Sequence, residues 1–218
     1  MTNFVKRCFV FLKVVIQNYW FGSRYGINSQ DYWDARFKTN WVSYGGRLQT
    51  ALFALGFIST RPTIKPATIL DFGCGAGDAL PVLRLMFPEA QLYFYDFSSS
   101  AMQLTASSYG NIAEPWTSQG RCDLVYCSNV IEHIYDLDAF LKMLAQQSYR
   151  YLVILAPYNE RHAHGECLSI ERPKDEHVRS VKEGVVEKSL TNYSWKHDVI
   201  ELPWDPTGRQ IVFFGKLL

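Results

Sequence analysis

From residue 66 onward, short apolar runs alternate with stretches whose apolar residues recur at helical spacing. Thr68-Ile69-Leu70-Asp71-Phe72 is an apolar run that ends in a cluster of glycines, and Gln91-Leu92-Tyr93-Phe94-Tyr95 is a second, ended by Asp96. Residues 123–127 and 151–156 form two more, the latter stopped by Pro157. Between them, residues 79–87, 98–108 and 137–145 show helical spacing. Pro81 is tolerated in the first of these because it falls in the opening turn, and Ser98 is placed to cap the second. Buried runs alternating with helices predict a mostly parallel sheet covered on both faces. A polar loop then runs to about residue 176 and a weak helical pattern to residue 190. Residues 199–202 and 210–214 read as a closing hairpin across Asp205-Pro206-Thr207-Gly208.

The first 65 residues differ, being helical and aromatic. They carry Tyr19-Trp20-Phe21, then Tyr32-Trp33-Asp34-Ala35-Arg36-Phe37, then an apolar stretch over residues 48–57, and Pro62 and Pro66 close the segment. The division expected is a helical, aromatic-rich cap over residues 1–65 and a core over 66–218. Residues 4–16 are almost all apolar, broken by Lys6, Arg7 and Lys13. The run is shorter than the roughly 20 residues that cross a bilayer, and no small-residue cleavage site follows it. A helix buried against the core is the first reading, and a basic helix giving peripheral membrane contact the second.

Composition narrows the class. The chain has 218 residues, 48% hydrophobic and 20% charged, which excludes a disordered chain. Twenty-two Lys and Arg against twenty-one Asp and Glu leave +1, so no global field recruits nucleic acid or an anionic membrane. Aromatics are the excess, at 15%. The five cysteines, Cys8, Cys74, Cys122, Cys127 and Cys167, are odd in number and form no CxxC pair. They suggest neither a disulfide framework nor a zinc site, and fit a reducing, cytoplasmic location.

Candidate chemistry begins at Asp71-Phe72-Gly73-Cys74-Gly75-Ala76-Gly77, between a strand and a helix. Missing side chains there let backbone N–H groups approach a ligand. Asp96, at the end of the second strand, is placed to accept both hydroxyls of a ribose. Two acids argue against a nicotinamide dinucleotide and its oxidoreductase chemistry. Asp78 stands where GxGxxG has its third glycine, and Asp71 points negative charge at a would-be diphosphate. A cationic adenosine derivative without phosphate suits the same acids, and S-adenosylmethionine is one.

The segment 69–77 resembles the first motif of class I S-adenosylmethionine-dependent methyltransferases, and Asp96 resembles their ribose-binding acid. Residues 122–134, with Val130-Ile131-Glu132-His133-Ile134, resemble their fourth strand and the turn after it. The form is that of the branch holding ubiquinone-biosynthesis, sugar and antibiotic O-methyltransferases. The resemblance implies an α/β, Rossmann-like, doubly wound and mostly parallel seven-stranded sheet, with helices on both faces and an N-terminal helical cap. It implies S-adenosyl-L-methionine as cofactor, contacted by Asp71, Gly73, Cys74, Gly75, Gly77, Asp96, Phe97, Ser128 and Asn129. Phe97 is either an adenine partner or a core aromatic, and Glu114 and Asn111 are alternative adenine contacts.

Transfer to a hydroxyl needs a base, which histidine suits. His133 follows the fourth strand, while His162, His164 and His177 lie in or beside the loop after Pro157, all at the carboxyl edge of the sheet. His133, His162 and His164 are the catalytic candidates; Glu160 and Glu166 read as surface acids. Some methyltransferases that use a divalent metal, plant small-RNA 2′-O-methyltransferases among them, present Glu-x-x-Glu-His and a later histidine. Here Asn129 replaces the first acid, so no metal is expected; Glu132, His133 and His162 or His164 is the set that would hold one. Tyr32, Trp33 and Arg36 are candidates to wall the acceptor pocket, Arg36 holding a carboxylate or phosphate; alternatively Trp33 and Phe37, four apart, form one buried helical face. The expected acceptor is a hydroxyl, or an amine, of a small molecule or sugar. A non-catalytic cofactor-binding subunit and a metal-assisted RNA 2′-O-methyltransferase are the alternatives.

Overall fold

A strand whose successive side chains are all apolar needs cover on both sides. In the computed structural model, which describes residues 13, 16–17, 19–42, 46–60, 62–117, 120–160, 176–202 and 209–218, it receives that cover. Seven strands form one sheet: β1 (Thr68–Phe72), β2 (Gln91–Tyr95), β3 (Glu114–Pro115), β4 (Cys122–Ser128), β5 (Ser148–Pro157), β6 (Tyr193–Glu201) and β7 (Arg209–Leu217). Their spatial order is β3-β2-β1-β4-β5-β7-β6. The first five pair in parallel, whereas β7 runs antiparallel to both β5 and β6. The chain reverses direction across the sheet at β1, and there the loops after β1 and β4 splay apart to leave a crevice at the carboxyl edge.

The alternation of side chains assigns each strand residue to one of two cores. On one face Ile69, Leu92, Phe94, Leu124, Tyr126 and Val153 meet α3 (Gly46–Ser59) and α4 (Leu80–Met86) through Phe53, Phe57, Leu80 and Leu83. On the other, Leu70, Val125, Cys127, Leu152 and Ile154 meet α6 (Leu137–Gln146) through Leu141 and Leu144. Only α6 has its apolar residues gathered in a sharp stripe, because its outer face is in water. A third cluster, Phe21, Tyr32 and Trp33, joins α1 (residues 19–25) to α2 (Gln30–Thr39). The segment before β1 is therefore shared: α3 covers the sheet, and α1 and α2 sit over its carboxyl edge.

Most predicted elements lie within three residues of their observed ends, and α5 (Ser99–Tyr109) starts at the predicted serine, with Ser98 Oγ accepting from the Ala101 N–H. Two differ. The irregular stretch 110–120 contains the short edge strand β3. The helix expected over 176–190 is instead a series of turns. Gly184 takes φ +80°, which ends helical geometry, and Val178, Val181, Val186 and Leu190 bury themselves from turns, with Val181 bridging Tyr158. The closing hairpin forms as β6 and β7, its tip, residues 203–208, lying outside the described residues. So does nearly all of the apolar run 4–16. Among the described residues no helix is long and apolar enough to cross a membrane.

Candidate active site

The glycine loop owes its shape to positions no side chain can fill. Gly73 takes φ +78°, and a Cβ there would stand 2.4 Å from Val130 Cγ2; Gly77 takes φ +79°, with Thr105 2.7 Å from a would-be Cβ. Any other residue at either position strains the turn. The loop is pinned to the end of β2, since the N–H groups of Gly73 and Cys74 both donate to the Tyr95 carbonyl at 2.8 and 3.1 Å. The Gly75 N–H donates to Asp96 Oδ2 at 2.9 Å, and Ser98 N–H to Asp96 Oδ1 at 2.8 Å. Asp96 thus organises the loop and still faces the cavity.

Three acids crowd this turn. Burial, with the charges of Asp96 and Asp78 beside it, pushes the Asp71 carboxyl up to about 8; burial also lifts Asp96 to about 6, against the pull of its two backbone donors. One oxygen of Asp71 has no hydrogen-bond donor among the described residues. Asp78 is the neutralised member, held by Arg47 Nε at 2.9 Å and Tyr109 Oη at 2.6 Å. A bound cation supplies what Asp71 lacks; a diphosphate makes matters worse. The stability consequence has a definite sign. Between about pH 5 and pH 8 the folded protein keeps a proton on Asp71 that the unfolded chain, with an ordinary carboxyl near 4, has lost, so stability falls as pH rises and levels off above that. Thermal melts of the ligand-free protein across that window are expected to show a falling midpoint, on the order of 1 kcal/mol per pH unit. A level midpoint would show an ionised, partnered Asp71.

Over this turn lies α2. Burial works against an ionised Asp34, but bonds from Ser98 Oγ (2.5 Å), the Ser100 N–H (2.9 Å) and Ser99 Oγ (3.1 Å) outweigh it and hold the carboxyl below its usual range. Those serines open α5, so the carboxylate also meets a helix N-terminus. One turn on, Phe37 stands 3.3 Å from the position of a Cβ on Gly75. Trp33, Phe37 and Trp41 stack edge to face and tilted, with Arg36 over Trp33 and Trp41 at 5.3 and 5.4 Å. The buried face of this helix is itself a cavity wall, and Arg36 on it is paired with Glu176. Trp33, Arg36 and Phe37 line the cavity, while Tyr32 lies behind it.

Beyond Trp33 the cavity ends in a cluster of acids and histidines. His133, in the 3₁₀ turn Ile131–His133, packs its ring against Trp33 at 5.0 Å and against His177 at 4.8 Å. Its Nδ1 lies 2.9 Å from the Glu176 carbonyl, and His177 Nδ1 lies 2.5 Å from Glu160 Oε2. Glu176 ties this end to α2, pairing with Arg36 and accepting from Tyr32 Oη at 2.5 Å. Glu132 is wholly buried, and the Asn129 side chain and the backbone at residue 132 are the donors near its carboxyl. Burial lifts its carboxyl to about 7 and holds His133 well below the usual imidazole range.

One cavity of about 560 Å³, a size suited to a cofactor-bound ligand site, joins the two ends. Of the residues expected to contact cofactor, Gly73, Cys74, Gly75, Asp96, Phe97, Ser128 and Asn129 line it, whereas Asp71 and Gly77 stand behind its wall. Phe97 is 48% exposed, so it is not a core aromatic. Glu114 accepts from Gln91 Nε2 on the sheet edge, and neither it nor Asn111 reaches the cavity. His133 lines it; His162 and His164 lie outside the described residues. Sequence reasoning passed over Glu160, Glu176 and the special place of His177. A His-carboxylate pair 17 positions apart leaves no periodic signal, although clustering of histidines at one sheet edge pointed to the region.

Comparisons with known proteins agree with this geometry. The methyltransferase domain family matches residues 47–193. The malonyl-[acyl-carrier protein] O-methyltransferase of Hahella chejuensis is 39% identical over 51 residues, 23% of this chain; the chain spans only 18% of that protein's length. Two solved structures share the fold. The magnesium protoporphyrin IX methyltransferase of Synechocystis PCC 6803, with bound SAH, is 17% identical over 80% of this chain and 84% of its own, with a TM-score of 0.57. The methyltransferase in complex with the Haloferax volcanii Trm112 methyltransferase activator is 16% identical over 86% of this chain and 95% of its own, at 0.61.

Proposed function

Because the chain belongs to the methyltransferase domain family, we propose that it transfers a methyl group from S-adenosylmethionine to a hydroxyl oxygen of a small molecule or sugar. The observation that carries this reading is the single cavity joining a ribose-competent Asp96 and a glycine loop to His133 and His177. When bound, S-adenosylmethionine supplies a methyl group on a positively charged sulfur. The residues present suit that group: the orphaned Asp71 oxygen favours a cation, and the close approach of Gly73 and Gly75 to Val130 and Phe37 leaves a tight cradle.

The chain's own residues divide the work. Asp96 is placed for the ribose hydroxyls, Phe97 for the flat face of adenine, and buried Asp71 for the positive charge. Trp33 and Phe37 exclude water and orient the acceptor, which supplies much of the acceleration in a displacement of this kind. As the acceptor oxygen bonds to the methyl carbon and the carbon–sulfur bond breaks, the hydroxyl proton has to leave. The Glu176 carbonyl accepts the Nδ1 proton of His133, whose ring burial keeps neutral, so its Nε2 is the unprotonated nitrogen for that task, while His177 Nδ1 meets Glu160 Oε2 beside it.

Calorimetric titration of S-adenosylhomocysteine tests the cofactor half, and methyl transfer from labelled S-adenosylmethionine to hydroxylated acceptors tests the other. The expected results are one site per chain and a methylated product. Absence of heat ends the methyltransferase reading, and binding without transfer to any acceptor would leave a cofactor-binding subunit.

A further inference from the structure

The first thirty residues hold four cations, Lys6, Arg7, Lys13 and Arg24, and no acid; the first carboxylate of the chain is that of Asp31. A chain whose net charge is only +1 therefore gathers a local excess of positive charge in this segment. Its described part is α1, with helical geometry already present at residues 13, 16 and 17. An ordinary surface helix turns polar residues to water, but this one carries apolar residues on both faces. Toward the protein, Gln17 accepts from Asn40 Nδ2 at 3.4 Å, and Phe21 joins Tyr32 and Trp33 of α2. Toward solvent stand Ile16, Tyr19 and Trp20, which are 58%, 81% and 49% exposed. Exposed Lys13 lies one turn before them and exposed Arg24 one turn after. Arg24 sits over the Trp20 ring at 5.0 Å, so cation and aromatic form one patch.

We infer that this outer face of α1 is a docking surface for an anionic lipid bilayer, on which the protein lies without crossing it. The inference does not depend on which acceptor is methylated.

Tryptophan and tyrosine concentrate where a bilayer meets water, because each has an apolar body and a polar edge. Cations at both ends of the patch can reach lipid phosphates while their carbon stems lie along apolar surface. The apolar run over residues 4–16, with its own Lys6 and Arg7, leads directly into this face. At 13 residues it is shorter than a crossing requires and suits a helix lying in the interface.

The charge pattern selects a bilayer over a second copy of the chain. A two-fold contact through this face would bring the Lys13 and Arg24 patch against its own counterpart, with no acid in the first thirty residues to balance it. Anionic headgroups supply the missing negative charge. The placement also bears on the cavity, since Phe21 joins α1 to Trp33, and Trp33 lines it. Docking thus sets the bilayer behind the helix that walls the site.

Co-flotation of the full, tag-free chain with vesicles provides the test. Vesicles of phosphatidylcholine with about one third phosphatidylglycerol are expected to carry the protein, pure phosphatidylcholine far less, and salt raised from about 0.05 to 0.5 M should release it. Changing Tyr19→Ser and Trp20→Ser together is expected to lower the partition coefficient about tenfold or more, because apolar surface no longer enters the interface. Lys13→Gln and Arg24→Gln should each lower it roughly fivefold. Leu85→Ser, which removes a 78% exposed apolar residue from α4, should leave it unchanged. Circular dichroism checks the fold of each variant, and S-adenosylhomocysteine titration on the same samples keeps the two readings apart. Protein that floats but binds no S-adenosylhomocysteine ends the methyltransferase reading and supports the docking surface. Wild-type protein that floats with neither vesicle overturns docking, as does undiminished flotation of the Tyr19→Ser, Trp20→Ser protein. A dimer in sedimentation velocity that this double change dissociates, without flotation, overturns it in favour of a second copy.

Discussion

Replacing Asp96 with Ala is expected to weaken S-adenosylhomocysteine binding by ~100-fold or more, because two hydrogen bonds to a charged acceptor disappear at about 1.5–3 kcal/mol each. The loss has a second component, since Asp96 also receives the Gly75 and Ser98 N–H groups and so holds the loop ready for ligand. Asp96→Asn separates the parts. An amide keeps the side chain's size and one acceptor oxygen but gives up the charge and one of the two backbone bonds, so its affinity should fall between wild type and Asp96→Ala. Calorimetry on all three proteins reads this directly. Equal affinities for wild type and Asp96→Ala would place the ribose elsewhere.

His177→Ala carries the other large expectation. With an acceptor that the wild-type protein methylates, kcat should fall roughly 10²–10⁴-fold, while S-adenosylhomocysteine affinity changes by less than about twofold. The split follows from position: His177 lies at the far end of the cavity from the glycine loop, beyond Trp33 and His133. A fall in cofactor affinity equal to the fall in kcat would mean that His177 only supports the pocket. Restoration of turnover in His177→Ala by added imidazole would support a direct role for its ring nitrogen.

The sheet was legible because its strands are buried on both faces, so Ile69 and Leu70, or Leu124 and Val125, announce themselves as consecutive apolar residues. The turn at the glycine-loop end of the cavity was legible for a similarly local reason. Glycines 73, 75 and 77 and the acids Asp71 and Asp96 lie within one β-turn-helix-β unit, where spacing along the chain determines spacing in the fold. The His133 end was not, since Glu132, Glu160 and His177 come from three separate segments that meet only when β4 and β5 pair and the turns after residue 176 fold back. Asn129 shows a role that residue type alone does not reveal. Read as a possible metal ligand replaced by an amide, it turns out to have a backbone role as well, since with φ at 55° it makes the left-handed bend that leads into the next turn. The missing helix over 176–190 shows the limit of periodicity, for Val178, Val181 and Val186 are buried without one.

The clasp between Asp34 and the three serines reaches beyond stability. Helix α2 is anchored at Ser98–Ser100, two residues after Asp96, and through Tyr32 and Arg36 to Glu176, whose carbonyl positions His133. Any swing of that helix disturbs both ends of the cavity together. Exchange of spent cofactor and departure of methylated product are thereby coupled to one rigid-body event, which favours an obligatory order of arrival and release over independent traffic through two doors.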